Sequence, residues 1–156
     1  MGFIIVATVL LACDDARVYE RNADFDSREW LVNDKPEFEF EIPDTIQRYD
    51  LYGNLRNSLS YPYARIFITW YLRDSSDVLM EKKLVSKLLF DERTGEPLGK
   101  SGLGDLYDHR IPLKTNYRFR KAGKYKVSFE QFMRTDTLSG ILAVGLRVAR
   151  TPPPDH

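Results

Sequence analysis

The stretch Pro36–Pro43, "PEFEFEIP", alternates without a break: Phe38, Phe40 and Ile42 fall on one side of an extended chain, and Glu37, Glu39 and Glu41 on the other. Successive side chains of a strand point to opposite faces, so aromatics alternating with carboxylates mark a strand with one buried face and one wet face. A β fold is the expectation to carry to the flanking sequence.

On its C-terminal side the same period recurs. "RYDLYGNLRN" repeats it more weakly through Tyr49, Leu51, Gly53 and Leu55. "ARIFITWYLRD" sets Ile66, Ile68, Trp70 and Leu72 on one side and Phe67 and Tyr71 on the other, the pattern of a strand covered on both faces. "KKLVSKLLF" is closed by "DERTGEPLG", where Gly95 and Pro97 supply the backbone angles of a reversal. "HRIPLKTNYRF" is interrupted by Pro112, which suits an edge or a bulge. "KAGKYKVSFEQF" turns at Gly123, then alternates Tyr125, Val127 and Phe129 with Lys126, Ser128 and Glu130; "GILAVGLRVAR" offers Leu142, Val144, Leu146 and Val148 as a buried closing strand. "MRTDTLSG" is expected to form one helical turn, and residues 151–156 a disordered tail. Seven to eight short strands without an internal repeat predict an all-β fold, an antiparallel β-sandwich of jelly-roll type, over residues 25–150.

Composition agrees with one domain: 156 residues, 43% apolar and 13% aromatic, are enough to enclose a core. Lys+Arg and Asp+Glu cancel at 23 each, so no sequence-wide field favours nucleic acid, and none is expected as a partner.

The N-terminus sets the compartment. Phe3–Ala12 is apolar but too short to cross a hydrocarbon layer, which takes ~20 helical residues. Its length suits the apolar region of a secretory signal, and small Ala12 before Cys13 suits a processing pocket. "LLAC" resembles a lipobox. Residues 1–12 then read as a lipoprotein signal peptide, and 13–24 as the lipidated Cys13 followed by a polar tether. The uncharged "MGF" start departs from the Lys or Arg that usually opens such a signal, and Gly2 lacks the polar residue that myristoylation needs. The alternative, a core strand with a buried free thiol, fits poorly with the abrupt polar turn of "DDARVYERN". Cys13 is the single cysteine, so no internal disulfide can form.

Chemistry is sparse. "LGKSGLGD" carries Gly99, Gly102 and Gly104 in a GxxGxG spacing that matches neither a Walker loop nor a dinucleotide loop, and a β-type segment follows it. "DLYDH" gathers Asp105, Asp108 and His109, but the other histidine is terminal His156, too few ligands for zinc; calcium would need only carboxylates and carbonyls. No serine sits in a GxSxG elbow. No cofactor, metal or enzymatic activity is expected. Tyr19, Trp30, Tyr52, Tyr61, Tyr63 and Tyr71 could stack on sugar rings from a sandwich face, with core packing as the alternative for each.

Taken in order, "LLAC", "FEFEIPDT", "YDLYGNLRNSLSYPYARIFI", "DERTGEPLGKSGLGDL" and "GKYKVSFEQFMRTDTLSGILAVGLRV" resemble the gliding-motility lipoprotein family GldH, from Cys13 to about Val148. One departure is Arg65, where the family pattern has Asn. The resemblance implies a non-enzymatic envelope lipoprotein of Bacteroidetes-type bacteria, linked to gliding motility and the associated protein-secretion machinery. It would be held by acyl chains on Cys13, at the outer membrane facing the periplasm, with surface display as the alternative. Protein partners would dock on Leu55–Tyr63 and Leu98–Leu106, where turn residues meet aromatic or apolar side chains on a rigid scaffold. The candidate docking residues are Arg56, Asn57, Tyr61, Pro62, Tyr63, Gly99, Gly102, Gly104 and Asp105. Two rivals stand beside this: a surface carbohydrate-binding sandwich using the aromatics, and a calcium-dependent adhesion or hydrolase domain using Asp105 and Asp108.

Overall fold

In the computed structural model, residues 14–155 are described; the apolar N-terminal segment, Cys13 and His156 lie outside the described residues, and the signal-peptide and lipidation readings lie there with them. Eleven strands follow in chain order: β1 Arg17–Asp24, β2 Glu29–Leu31, β3 Glu37–Ile42, β4 Tyr49–Ser58, β5 Arg65–Asp74, β6 Leu79–Leu88, β7 Lys100–Ser101, β8 Leu106–Tyr117, β9 Gly123–Gln131, β10 Thr137–Ser139 and β11 Ile141–Arg150. A five-stranded sheet, β1-β11-β4-β8-β7, faces a four-stranded sheet, β3-β9-β5-β6, and β10 pairs with β2 in a short ribbon. Every pairing is antiparallel. The fold is an all-β antiparallel sandwich.

The alternation in β3 does what it predicts: Phe38, Phe40 and Ile42 are buried, and the three glutamates are exposed. The Phe38 ring meets Phe129 at a centroid distance of 6.0 Å, and the Phe40 ring meets Phe119 and Tyr125 at 6.2 and 6.1 Å, the spacing at which aromatic pairs add to simple area burial. Trp70, Leu72, Val127, Leu146 and Val148 complete the layer between the sheets, each almost wholly buried. Pro112 sits where the sequence leads one to expect it. β7 pairs only with Tyr107 and Asp108, so beyond it β8 is an edge, and the β4–β8 register shifts beside Pro112.

Five details differ from the sequence reading. Eleven strands replace seven to eight, because β2, β7 and β10 have only two or three residues each and carry no readable period. "MRTDTLSG" forms no helical turn; its Thr137–Ser139 is β10, drawn out because buried Leu138 pairs with buried Trp30. The second face of β5 is covered only in part: Thr69 is buried, Tyr71 half-buried and Phe67 exposed. Residues 17–24, read as tether, are β1, an edge strand whose Glu20–Asp24 pairs with Arg147–Ala143 of β11. Thr151, in the predicted tail, donates its N–H to the Arg48 carbonyl and its hydroxyl to Asp50, at 2.8 Å each.

Register places the two ends of the sandwich. Arg17, Arg150, Tyr49 and Tyr117 align at the proximal end, where the described chain begins, with Ile42 and Gly123 below them. Ser58 and Leu106 mark the distal end.

Candidate functional site

The outer face of the five-stranded sheet carries the polar half of the alternation. Val144, Leu146 and Val148 of β11 enter the core, so Ala143, Gly145 and Arg147 face out, beside Glu20, Asn22 and Asp24 of β1 and Tyr52, Asn54 and Arg56 of β4. Of these, Glu20, Asn22, Asp24, Asn54, Arg56 and Ala143, with Asp108 and Arg110 of β8, line a groove of about 500 Å³. Glu20 is its centre: one carboxylate oxygen accepts from Asn54 Nδ2 at 2.9 Å, the other from Arg147 Nη1 at 2.9 Å. Burial alone would raise the Glu20 carboxyl, but the bonds from Asn54 and Arg147 and the charges of Arg147 and Arg110 outweigh it and hold it below the usual range. Arg147 also reaches Asp14, and Arg56 spans both oxygens of Asp108 at 2.8 and 3.2 Å. Gly145 is required beneath Asn22, since a Cβ there would lie 2.5 Å from the Arg21 carbonyl and closer still to the Asn22 side chain. The cations and anions of the groove neutralise one another, which suits a network that fixes β1 to β11 more than one that binds charged solutes.

"DLYDH" does not gather. Asp108 and His109 are adjacent on β8, so strand alternation sends them to opposite faces: Asp108 out to Arg56, His109 inward to the Asn57 side chain, while Asp105 stays in an exposed loop. Among the described residues no three His, Cys, Asp or Glu side chains converge as metal ligands. Nor is any described helix long and apolar enough to cross a membrane.

The two stretches read as docking loops are brought together at the distal end. The Leu59 N–H donates to the Asp105 carbonyl at 3.0 Å, directly beyond the Ser58–Leu106 pair. Pro62, Tyr63, Gly102, Gly104 and Asp105 are at the surface there. Leu59, Tyr63, Leu98 and Leu103 form an apolar rim, with Leu103 89% exposed. The remaining candidates lie elsewhere. Arg56 belongs to the groove; Asn57 and Tyr61 are buried, the Tyr61 hydroxyl donating to the Arg65 carbonyl at 3.0 Å; Gly99 packs against His109. Gly140, at φ +81°, passes so close to Tyr61 that a Cβ would come within 2.6 Å of its backbone.

The aromatic side chains do not make a sugar platform. Trp30 and Tyr61 are core residues, Tyr19 packs on Phe40, Tyr52 lies beside Arg110, and the Tyr71 hydroxyl donates to Glu130 at 2.8 Å. Tyr63 alone of the six is exposed. Glu20, Asn22, Asn54 and Arg110 carry no signal in the sequence. Arg147 does: with Gly145 it interrupts an otherwise apolar strand on its outward positions.

Comparison with known proteins bears on these surfaces. Across nearly its whole length the chain is similar to the gliding motility lipoprotein GldH homolog of Christiangramia forsetii, 33% identical over 96% of this chain and 94% of that one. It is likewise similar to the gliding motility lipoprotein GldH of Flavobacterium johnsoniae, 26% identical over 94% of each chain. Among solved structures, the VP2 subviral particle of infectious bursal disease virus gives a TM-score of 0.37 at 15% identity, over 88% of this chain and 31% of the viral chain, a likeness too loose to bear on function. The family profile described as GldH lipoprotein matches residues 17–148, from the first residue of β1 almost to the end of β11, which is the whole sandwich; the chain belongs to the GldH lipoprotein family.

Proposed function

We propose that the protein is an accessory lipoprotein of the cell envelope that works without catalysis, carried on acyl chains at Cys13 and binding protein components of gliding motility and the associated secretion machinery through its distal end. The observation that carries this reading is the apolar rim of Leu59, Tyr63, Leu98 and Leu103, set on two loops that one backbone hydrogen bond ties together at the end opposite the one where the described chain begins. Apolar side chains grouped on a rigid edge are a protein-docking feature, and aromatic residues such as Tyr63 are frequent anchors. Two acyl chains give stable anchoring where one gives only marginal binding. The membrane proposed is the outer one, with the sandwich in the periplasm.

The test is affinity purification of the full chain from its own host after mild detergent extraction, with Leu103→Glu and Tyr63→Ala variants and a Cys13→Ser control. Identified secretion or gliding components should accompany the wild type and be lost from the rim variants at equal protein level. Recovery of the same partners by the rim variants would overturn the docking assignment, and recovery by the Cys13→Ser form from the soluble fraction would overturn the anchor.

A further inference from the structure

The proximal end has its own chemistry. The fold holds the chain already at Asp14: its carboxylate meets Arg147, its carbonyl accepts the Arg17 N–H at 3.1 Å, and the Asp15 carbonyl accepts from Arg150 at 3.0 Å. The tether expected over residues 13–24 is thereby reduced to nothing beyond Cys13 itself, so acyl chains at that residue would bring this end of the sandwich directly onto the leaflet.

What would meet the leaflet is a set of positioned cations beside exposed apolar side chains. Arg48 and Arg118 donate to the backbone carbonyls of Asn116 and Thr45 at 3.1 and 2.8 Å, as Arg150 does to Asp15, so the guanidiniums are positioned without being neutralised. Together with exposed Arg120 and Lys121, none of them pairs with a carboxylate among the described residues. Of the carboxylates at this end, Asp14 pairs with Arg147 and Asp77 with Lys126; Asp44 and Asp74 accept from backbone N–H groups, Asp50 is buried, and Asp15 and Glu41 stay exposed. Between the arginines the turn held by Asp44 presents Ile46, 80% exposed, and the β5–β6 turn at the same end presents Val78. An isoleucine projecting among fixed guanidiniums matches the boundary of an anionic bilayer, where apolar side chains enter the acyl region and guanidiniums take phosphate oxygens.

We propose that the proximal end is a membrane seat: Ile46 enters an anionic phospholipid leaflet, and Arg48, Arg118 and Arg120 lie on its phosphates. The sandwich then stands upright with its distal rim facing away. This rests on the lipoprotein reading, because Cys13 is what delivers this end to the leaflet.

The experiment uses the full lipidated chain, reconstituted in vesicles of phosphatidylethanolamine and phosphatidylglycerol. An environment-sensitive fluorophore is placed at Ile46→Cys or, for the opposite end, at Leu103→Cys; Cys13 is the only native cysteine and lipidation consumes its thiol. The label at 46 should shift to the blue and be quenched by a lipid-borne quencher, and the label at 103 should not. Charge reversal at Arg48 and Arg120 should lower that quenching about twofold or more, and unchanged quenching would remove the phosphate contacts from the proposal. If both labels stay in water while the protein floats with the vesicles, the seat is overturned and the anchor stands. If the protein does not float and its Cys13 thiol is free, the anchor reading itself falls.

Discussion

His109 and Asn57 meet inside the sandwich, Nε2 to Oδ1 at 2.8 Å, from the paired strands β8 and β4. The Asn57 amide nitrogen is committed to the Ser58 carbonyl at 3.1 Å, which leaves its oxygen to accept and assigns the proton to His109 Nε2. Burial, helped by the charge of Lys87 and opposed by Asp108, lowers its pKa to about 4, which keeps the imidazole neutral at pH 7.

A neutral buried histidine makes stability depend on pH with a definite sign. The unfolded chain takes up a proton near pH ~6.5 and the folded chain only near 4, so the unfolded state binds more protons between these values and stability falls as the pH drops through that window. From pH 7 to pH 5 the loss should be on the order of 1–2 kcal/mol, read as a lower urea midpoint. That window lies above the range in which the depressed Glu20 and Asp14 carboxyls titrate. His109→Gln should flatten the dependence; an equal slope in the variant would place the effect elsewhere.

The three glycines of "LGKSGLGD" should respond differently to alanine. At Gly99 a Cβ would stand 2.6 Å from His109 Nε2 and 2.9 Å from the Asp108 carbonyl, so Gly99→Ala should cost about 2 kcal/mol through displacement of the ring or of β8. Gly104 has open space but φ +65°, and should cost about 1 kcal/mol from backbone strain. At Gly102 the nearest atom to a Cβ is 3.5 Å away, an ordinary contact, and substitution should be nearly neutral. Thermal melts of the three variants give the ranking, and equal losses at all three would contradict it.

Two buried tryptophans separate packing from hydrogen bonding. Trp30 Nε1 donates to the Asp34 carbonyl at 2.7 Å, whereas Trp70 Nε1 is buried without a partner among the described residues. Replacement by Phe removes similar bulk at each, but only at Trp30 does it strand an acceptor. Trp30→Phe should destabilise by about 1 kcal/mol more than Trp70→Phe in chemical denaturation. A larger loss at Trp70 would mean that its indole N–H has an acceptor.

Arg147 holds the N-terminal edge. Its side chain is 9% exposed and joins Asp14 to Glu20 across the outer face of the sheet. Arg147→Met keeps most of the bulk and removes both bonds, so amides over residues 14–20 should exchange faster with deuterated solvent while β5 and β9 are unchanged, at a stability cost of about 1–2 kcal/mol. Unaltered protection of β1 would show that its ladder to β11 suffices.

The strands legible from sequence are those with an apolar alternation against polar or charged positions: β3 with its Phe–Glu period, β9 with Tyr125, Val127 and Phe129, and β11. β1 was not legible, because an edge strand contributes only Val18, Tyr19 and Ala23 to the interior and spends its other face on ion pairs. The groove was hidden for a geometric reason: Glu20 and Arg147 are 127 positions apart and become neighbours only through the β1–β11 register. The distal rim was partly legible, since turn residues with an unshielded Leu103 mark a loop. Asn57 and Tyr61 were misplaced there because strand β4 runs on to Ser58 and the Tyr61 ring turns back onto Phe90.

The pairing of β1 with β11 has a kinetic consequence. Of the eight longest strands only β5 and β6 pair as a hairpin; the others pair with strands remote in the chain, and the first pairs with the last. A topology so dominated by distant contacts folds slowly, because each contact must overcome the entropy of closing a long loop before it is rewarded. The edge cannot be completed until the final strand has left the ribosome. A slow-folding chain stays extended for longer, and the same delay that exposes its strands to aggregation is what the export proposed above requires.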